Sequence, residues 1–292
     1  MIDLHLHTTY SDGTDSLKDL LKKADNKNIE IISITDHNTC DAYVEMEKYN
    51  INDIYKGEII AGCEFTSSFN KKMIEIIGYG FDYKIINKYL KSYYTKEYYN
   101  TINFKITTQI IKKIIELNLI CDFENVNIDN GIALGVYDEL IKYSENKSKI
   151  DENIWDSFSK FYRKGLTNPK SKFFIDYAKY YPDLKDIINL IHESGGKVFL
   201  AHPFIYRLEN TIDFLNKICD DNKIDGIECF YTTFTNEETE FLIEFCKKRN
   251  LLISGGSDYH GLNKTNHEIG VGKGNLNVDK NILNNWNINF YK

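Results

Sequence analysis

Apolar and polar positions alternate from the first residues of the chain. In MIDLHLHTTYSDGTD, Ile2, Leu4 and Leu6 fall on one side of an extended segment, and Asp3, His5 and His7 on the other. This predicts a strand that runs into a polar turn at Ser11-Asp12-Gly13. Leu17, Leu20, Leu21 and Ala24 then recur at helical spacing behind a capping Asp15 or Ser16. Residues 29–35 (IEIISIT) form an apolar run of the buried-strand kind, stopping at Asp36-His37-Asn38. Residues 41–56 read as helix, 58–66 (EIIAGCEFT) as a third strand and 73–80 (MIEIIGYG) as a fourth. From about Asp82 to Pro182 strand signals fade and amphipathic helix takes over. Its clearest stretch is 104–119, with Ile106, Ile110, Ile111, Ile114 and Leu117 at helical spacing. A helix at 184–194, ended by Gly195-Gly196, restarts the strand–helix rhythm. Strands at 197–201, 226–230 and 251–254 alternate with helices at 210–219 and 237–249. Such repetition predicts an α/β protein with a parallel barrel, whose chemistry gathers at the C-terminal ends of its strands.

Composition narrows the partners. The 292 residues can bury a full core, and the formal charge of −7 argues against broad nucleic-acid binding and anionic membrane surfaces. A small anionic substrate stays open, because bound cations would set the local field. Arg occurs only at 163, 207 and 249, and Arg is the better bidentate reader of phosphate. The six cysteines show no CxxC spacing and read as reduced thiols of a cytosolic protein. Cys63, in an apolar run, reads as core. A first strand at residue 2 leaves no room for a targeting segment, and no apolar run approaches a membrane span. The expected location is cytoplasmic.

The strand ends carry the chemistry. His5, His7 and Asp12 follow the first strand, His37 the second and Glu64 lies near the end of the third. His202 follows the strand at 197–201, and Asp258 and His260 follow the last. Taken alone, His5 and His7 can be a surface pair or half of a metal site, and Glu75 can be a half-exposed strand position. Together they exceed what one ion needs, so two or three divalent ions fit better. Mixed imidazole and carboxylate ligation suits Mn, Fe or Zn. His192 reads as structural. His267, in TNHE, reads as exposed or as reaching the pocket mouth. Asp36 and Asp3 are candidates to orient imidazoles from behind.

The segments DLHLHTTYSDGT, SITDHNT, GCEFT, IIGYGFD, VFLAHPF and GGSDYHG resemble the PHP (polymerase and histidinol phosphatase) family of metal-dependent phosphoesterases. They span both ends of the chain, and look closest to the branch that acts on nucleoside 3′,5′-bisphosphates and trims short RNA from the 5′ end. The resemblance implies a distorted (βα)7 TIM-like barrel with a trinuclear site. The barrel would occupy 1–81 and 183–292, and 82–182 would be a helical insertion covering the active site. His5, His7, Glu64 and Asp258 would hold one ion, and Asp12, His37 and His260 a second. Glu64 would bridge to a third, completed by His202 and Glu75. The family usually has His where this chain has Glu75. The relatives' insertion arginines are also absent, since residues 80–162 contain no Arg and their Gly-Arg-Pro-His segment reads Gly135-Val136-Tyr137-Asp138.

The expected reaction is hydrolysis of a phosphomonoester or phosphodiester of a small phosphorylated molecule, with short RNA as a further substrate. A metal-bound hydroxide held by Glu64, Asp258 and His202 would attack phosphorus. Arg207, Asp12 and His37 would contact substrate. The rivals are an amidohydrolase-like enzyme cleaving C–N or C–O bonds and a non-catalytic metal-binding module.

Overall fold

The computed structural model describes residues 1–129, 131–150, 152–206 and 208–291. The chain forms two compact units. One comprises Met1–Phe69, Met73–Tyr93 and Pro182–Lys292; the other comprises Asn70–Lys72 and Tyr94–Tyr181.

The first unit is mixed α/β. Strands β1 (Ile2–Leu6), β2 (Ile31–Ile34) and β3 (Glu58–Ile59) form a parallel three-stranded sheet. Strands β4 (Gly62–Phe69), β5 (Lys72–Tyr79), β6 (Lys197–Leu200), β7 (Gly226–Tyr231) and β8 (Leu252–Gly256) form a second sheet in that order. Isolated parallel bridges join the two sheets, Leu6 to Tyr259 and His37 to Glu64. Helices α1 (Leu17–Asn26) and α2 (Asp41–Met46) follow β1 and β2, and α3 (Tyr83–Tyr93) follows β5. In the second unit lie α4 (Lys96–Glu116), α5 (Ile132–Leu140) and the short α6 (Phe158–Lys160). Helix α7 (Leu184–Glu193) precedes β6, while α8 (Thr211–Asp221) and α9 (Asn236–Arg249) follow β6 and β7.

The local chemistry explains these elements. Ser16 caps α1 by accepting from the Asp19 N–H, and Leu17, Leu20, Leu21 and Ala24 bury its apolar stripe. Each buried Leu contributes roughly 1.5–3 kcal/mol of transfer free energy. Thr235 and Glu238 form a reciprocal capping box on α9, and Asn250 ends that helix in the left-handed region. Ile2 and Leu4 enter a core with Tyr79, Phe199 and Trp286, whose rings pack at 4.4–5.2 Å. In the second unit, Ile102, Ile106, Ile110 and Ile114 recur every fourth residue along α4. They bury in a cluster with Trp155, Phe161 and Phe173. Among the described residues no helix is long and apolar enough to cross a membrane.

Three expectations change. The strands are not parallel throughout, as the expected parallel barrel requires, because β5 pairs with β6 antiparallel. A two-residue turn, Asn70-Lys71, reverses the chain between β4 and β5, with φ of 51° and 62°. The run 58–66 is two strands in different sheets, parted at Ile60-Ala61. The Gly62 N–H there donates to the Tyr43 hydroxyl, and a Cβ on Gly62 would lie 2.2 Å from Ser33 Oγ. The helix expected over 41–56 stops at Met46, and the chain continues through a 3-10 turn at Ile51–Asp53.

Candidate metal centre

The polar groups left behind by the strands converge. Strand β1 delivers His5, and His7 follows its end, both fully buried; the turn beyond delivers Asp12. His37 follows β2, Glu64 lies on β4, Glu75 on β5, His202 follows β6, and Asp258 and His260 follow β8. His5 Nε2 lies 3.1 Å from His7 Nε2, 3.2 Å from Glu64 Oε2 and 3.5 Å from Asp258 Oδ1. Glu64 Oε1 is 2.8 Å from His202 Nε2, and Glu64 Oε2 is 3.3 Å from both His7 Nε2 and His37 Nδ1. Asp12 faces His260 Nε2 at 3.2 Å and His37 Nε2 at 3.7 Å. Glu75 Oε2 is 3.5 Å from His202 Nε2. All nine candidate ligands therefore enter one cup.

Four ligand groups can be drawn, each with donor atoms within 4.8 Å of one another: His7/Asp12/His37/His260, His5/Glu64/His202, His5/His7/Asp258 and His37/Glu64/Glu75. His5, His7, His37 and Glu64 each belong to two groups.

The electrostatics fit cations. Burial opposes charge on His5, but Glu228, Glu64 and Asp258 outweigh it and raise its pKa well above the usual imidazole value. His7 is raised to about 9, because hydrogen bonding to Asp258 and Glu64 overcomes its burial. Burial pushes Glu64 and Asp258 toward the neutral acid, yet the neighbouring imidazoles dominate and hold both well below the carboxylate range. His260 is lowered by burial. Its Nδ1 lies 2.9 Å from the Asp258 carbonyl oxygen, and its Nε2 faces the Asp12 carboxylate at 3.2 Å. Among the described residues the buried Nδ1 of His202 has no hydrogen-bond partner. The donor set, five imidazoles and four carboxylates, suits divalent ions.

Surrounding groups hold the cup. Asp36 accepts from the Thr8 N–H at 2.7 Å, the Thr8 hydroxyl at 2.6 Å and the Ser11 hydroxyl at 2.6 Å. It fixes the turn carrying Asp12, and the Ser11 hydroxyl that it holds lies 3.4 Å from His7 Nδ1. Asp3 accepts from the Ser257 and Gly270 N–H groups at 2.9 and 2.7 Å and from the His5 N–H at 3.3 Å. It ties β1 to the segment after β8 and touches no imidazole ring. Burial raises its pKa. Asp258 Oδ2 accepts from the Tyr231 hydroxyl at 2.6 Å and from Lys264 Nζ at 2.5 Å. His267, half-buried, turns Nδ1 to the Ser257 carbonyl at 3.0 Å and so braces that loop. His192 is structural, paired with Asp225 at 2.7 Å. Arg207 lies outside the described residues. Sequence reasoning missed Glu228 on β7, which is fully buried with Oε1 2.8 Å from His5 Nδ1. The signal was available in GIECFY, a lone carboxylate between apolar neighbours.

Fold and cup together define a metal-binding α/β enzyme. The chain belongs to the PHP domain family, which matches residues 3–230. It is 24% identical over 267 residues to a 5′-3′ exoribonuclease of Haemophilus influenzae, covering 88% of this chain and 89% of that one. It is 22% identical over 265 residues to a phosphoribosyl 1,2-cyclic phosphate 1,2-diphosphodiesterase of Eggerthella lenta, covering 89% and 94%. A solved chain assigned as a metal-dependent phosphoesterase, from Bifidobacterium adolescentis, superposes with a TM-score of 0.63 at 19% identity. The match covers 97% of this chain and 94% of that one, and the likeness is one of fold.

Proposed function

We infer that the protein hydrolyses phosphate esters of small phosphorylated molecules, with two or three divalent ions in the cup. The observation that carries this is the sharing of His5, His7, His37 and Glu64 between ligand groups. Groups with common members bring adjacent ions together, which suits a phosphoryl group held across several cations. Mn, Fe and Zn match the donor mixture. When bound, such ions make hydroxide available near neutral pH and offset charge developing on the leaving oxygen.

The chain's own groups divide the remaining work. His5, Glu64 and Asp258 are buried and form the floor, with His202 beside them. They fix the position at which water meets phosphorus. Water forms the new P–O bond, the ester P–O bond breaks, and the alcohol leaves with a proton. The side chains of Glu75, His37 and Asp12 are 26%, 27% and 55% exposed. This gradient supports entry of the phosphate over Asp12 and His37. A distorted (βα)7 barrel is the fold reading we favour, supported by the bridges Leu6–Tyr259 and His37–Glu64 at the sheet edges. The insertion expected over 82–182 then corresponds chiefly to Tyr94–Tyr181, between the two parts of the barrel in sequence.

Similarity to an exoribonuclease and to a phosphoribosyl cyclic phosphate diphosphodiesterase supports phosphate on ribose as the substrate class. The test is release of phosphate or alcohol by protein loaded with Mn²⁺, Fe²⁺ or Zn²⁺. The panel holds nucleoside mono- and bisphosphates, a ribose cyclic phosphate, sugar phosphates and 5′-phosphorylated short RNA. Turnover confined to ribose-borne phosphates is expected. Turnover of an amide or lactone, with none of any phosphoester, would replace this reading.

A further inference from the structure

Glu228 is a carboxylate in the middle of β7, between Ile227 and Cys229, with no exposed surface. A buried charge persists only when its oxygens are satisfied. Its two oxygens serve different strands. Oε1 lies 2.8 Å from His5 Nδ1 on β1, and Oε2 accepts the backbone N–H of His202, past β6, at 2.9 Å. The β7–β8 ladder pairs Glu228 with Ser254 but Phe230 with Gly255, so the register slips immediately after Glu228.

Both partners need holding. An imidazole has two nitrogens, and whichever carries the proton cannot ligate. With Nδ1 of His5 engaged by Glu228, Nε2 faces His7, Glu64 and Asp258. His202 has a backbone φ of +25°, a region L residues rarely adopt, and it precedes Pro203, which restricts it further. Its ring stacks on His5, with centroids 5.6 Å apart and planes 20° apart. One carboxylate therefore stands behind two adjoining members of the cup.

We propose that Glu228 is a positioning residue for the metal centre, fixing His5 as the Nδ1–H form and holding the strained His202 backbone. This rests on the metal-dependent reading above. Glu228→Gln keeps the shape but gives one of the two donors an NH₂ group instead of an oxygen. Affinity for Mn²⁺, measured by competition with a chromophoric chelator, should weaken about 10- to 100-fold with circular dichroism unchanged. Hydrolysis should recover in part at saturating Mn²⁺. A variant that binds Mn²⁺ as tightly as the wild type overturns the proposal and leaves the functional reading intact. Wild-type protein that takes up no divalent ion overturns that reading, and the proposal with it. A second measurement does not depend on the variant folding. In Zn²⁺-loaded wild type, long-range ¹H–¹⁵N correlation should find the His5 proton on Nδ1; a proton on Nε2 refutes the assignment.

Discussion

Replacing Glu64 by Gln removes one charge and almost no volume, and the surroundings of the side chain set the consequences. Glu64 is buried and lies within 3.3 Å of four imidazoles, those of His5, His7, His37 and His202. In the metal-free protein it is the common counter-charge for His5 and His7, whose pKa values are raised. Breaking a buried pair from one side costs about 3–5 kcal/mol. In a chain of this size each kcal/mol moves the melting temperature by about 2–4 °C, so chelator-treated Glu64→Gln should melt roughly 10 °C below wild type. Glu64 also belongs to two ligand groups, His5/Glu64/His202 and His37/Glu64/Glu75. Metal content by elemental analysis should fall at both, and phosphoester turnover by about a thousandfold or more. Scanning calorimetry and metal analysis on the same preparations decide the matter. A variant that melts and loads like wild type would show that Glu64 is not the hub of the cup.

Other perturbations separate the parts. Glu75→Ala touches one group at the partly exposed rim, so metal content should drop by at most one ion, with the metal-free melting temperature within about 2 °C of wild type. Gly256→Ala would put a Cβ 2.4 Å from the His5 backbone nitrogen; β1 must shift, and a loss of about 1–3 kcal/mol in a denaturant titration, with weakened metal binding, is expected. For pH, folded-state values of His5 and His7 above the usual 6.5 mean that their stabilisation is complete below about pH 6.5. It is lost as pH rises through the folded value, about 9 for His7. Metal-free protein should therefore melt progressively lower from pH 6.5 to 9, whereas with excess Mn²⁺ the same interval should show no fall, because ions replace the protons. A flat metal-free profile would contradict the raised values.

The cup was legible because its members break a local rule. His37, His202, Asp258 and His260 stand where apolar strands end, and Glu64 stands inside a run of Ile, Cys and Phe; buried polar groups in such places need partners. Glu228 breaks the same rule. It was overlooked because it lies in mid-strand on β7, away from the strand ends where most of the candidate ligands cluster. Much of the scaffold obeyed helical and strand periodicity, as α1, α4 and α9 do. The Asn70-Lys71 reversal did not announce itself, because a Lys at positive φ lacks the usual Asn-Gly signal. The division of residues 58–66 between two sheets depends on the Tyr43 hydroxyl, which comes from another element.

The fate of Asp3 shows where alternation stops being a guide. Period two puts Asp3, His5 and His7 on one face, yet Asp3 binds Ser257 and Gly270 while His5 and His7 enter the cup. Along β1, Asp3 pairs with Ile32 but Leu6 with Ile34, so three steps on one strand match two on its neighbour. An extra residue at that point bends the strand and re-aims the side chains beyond it. A similar slip comes after Glu228 on β7. Both irregularities occur beside His5, one on the strand that carries it and one on the strand that carries its partner carboxylate. Regular ladders would lay these side chains out in parallel rows; the two slips let groups from distant strands face each other. The candidate donors are thus written in the sequence, while the two slips beside His5 lie in the pairing of the ladders, which periodicity does not reveal.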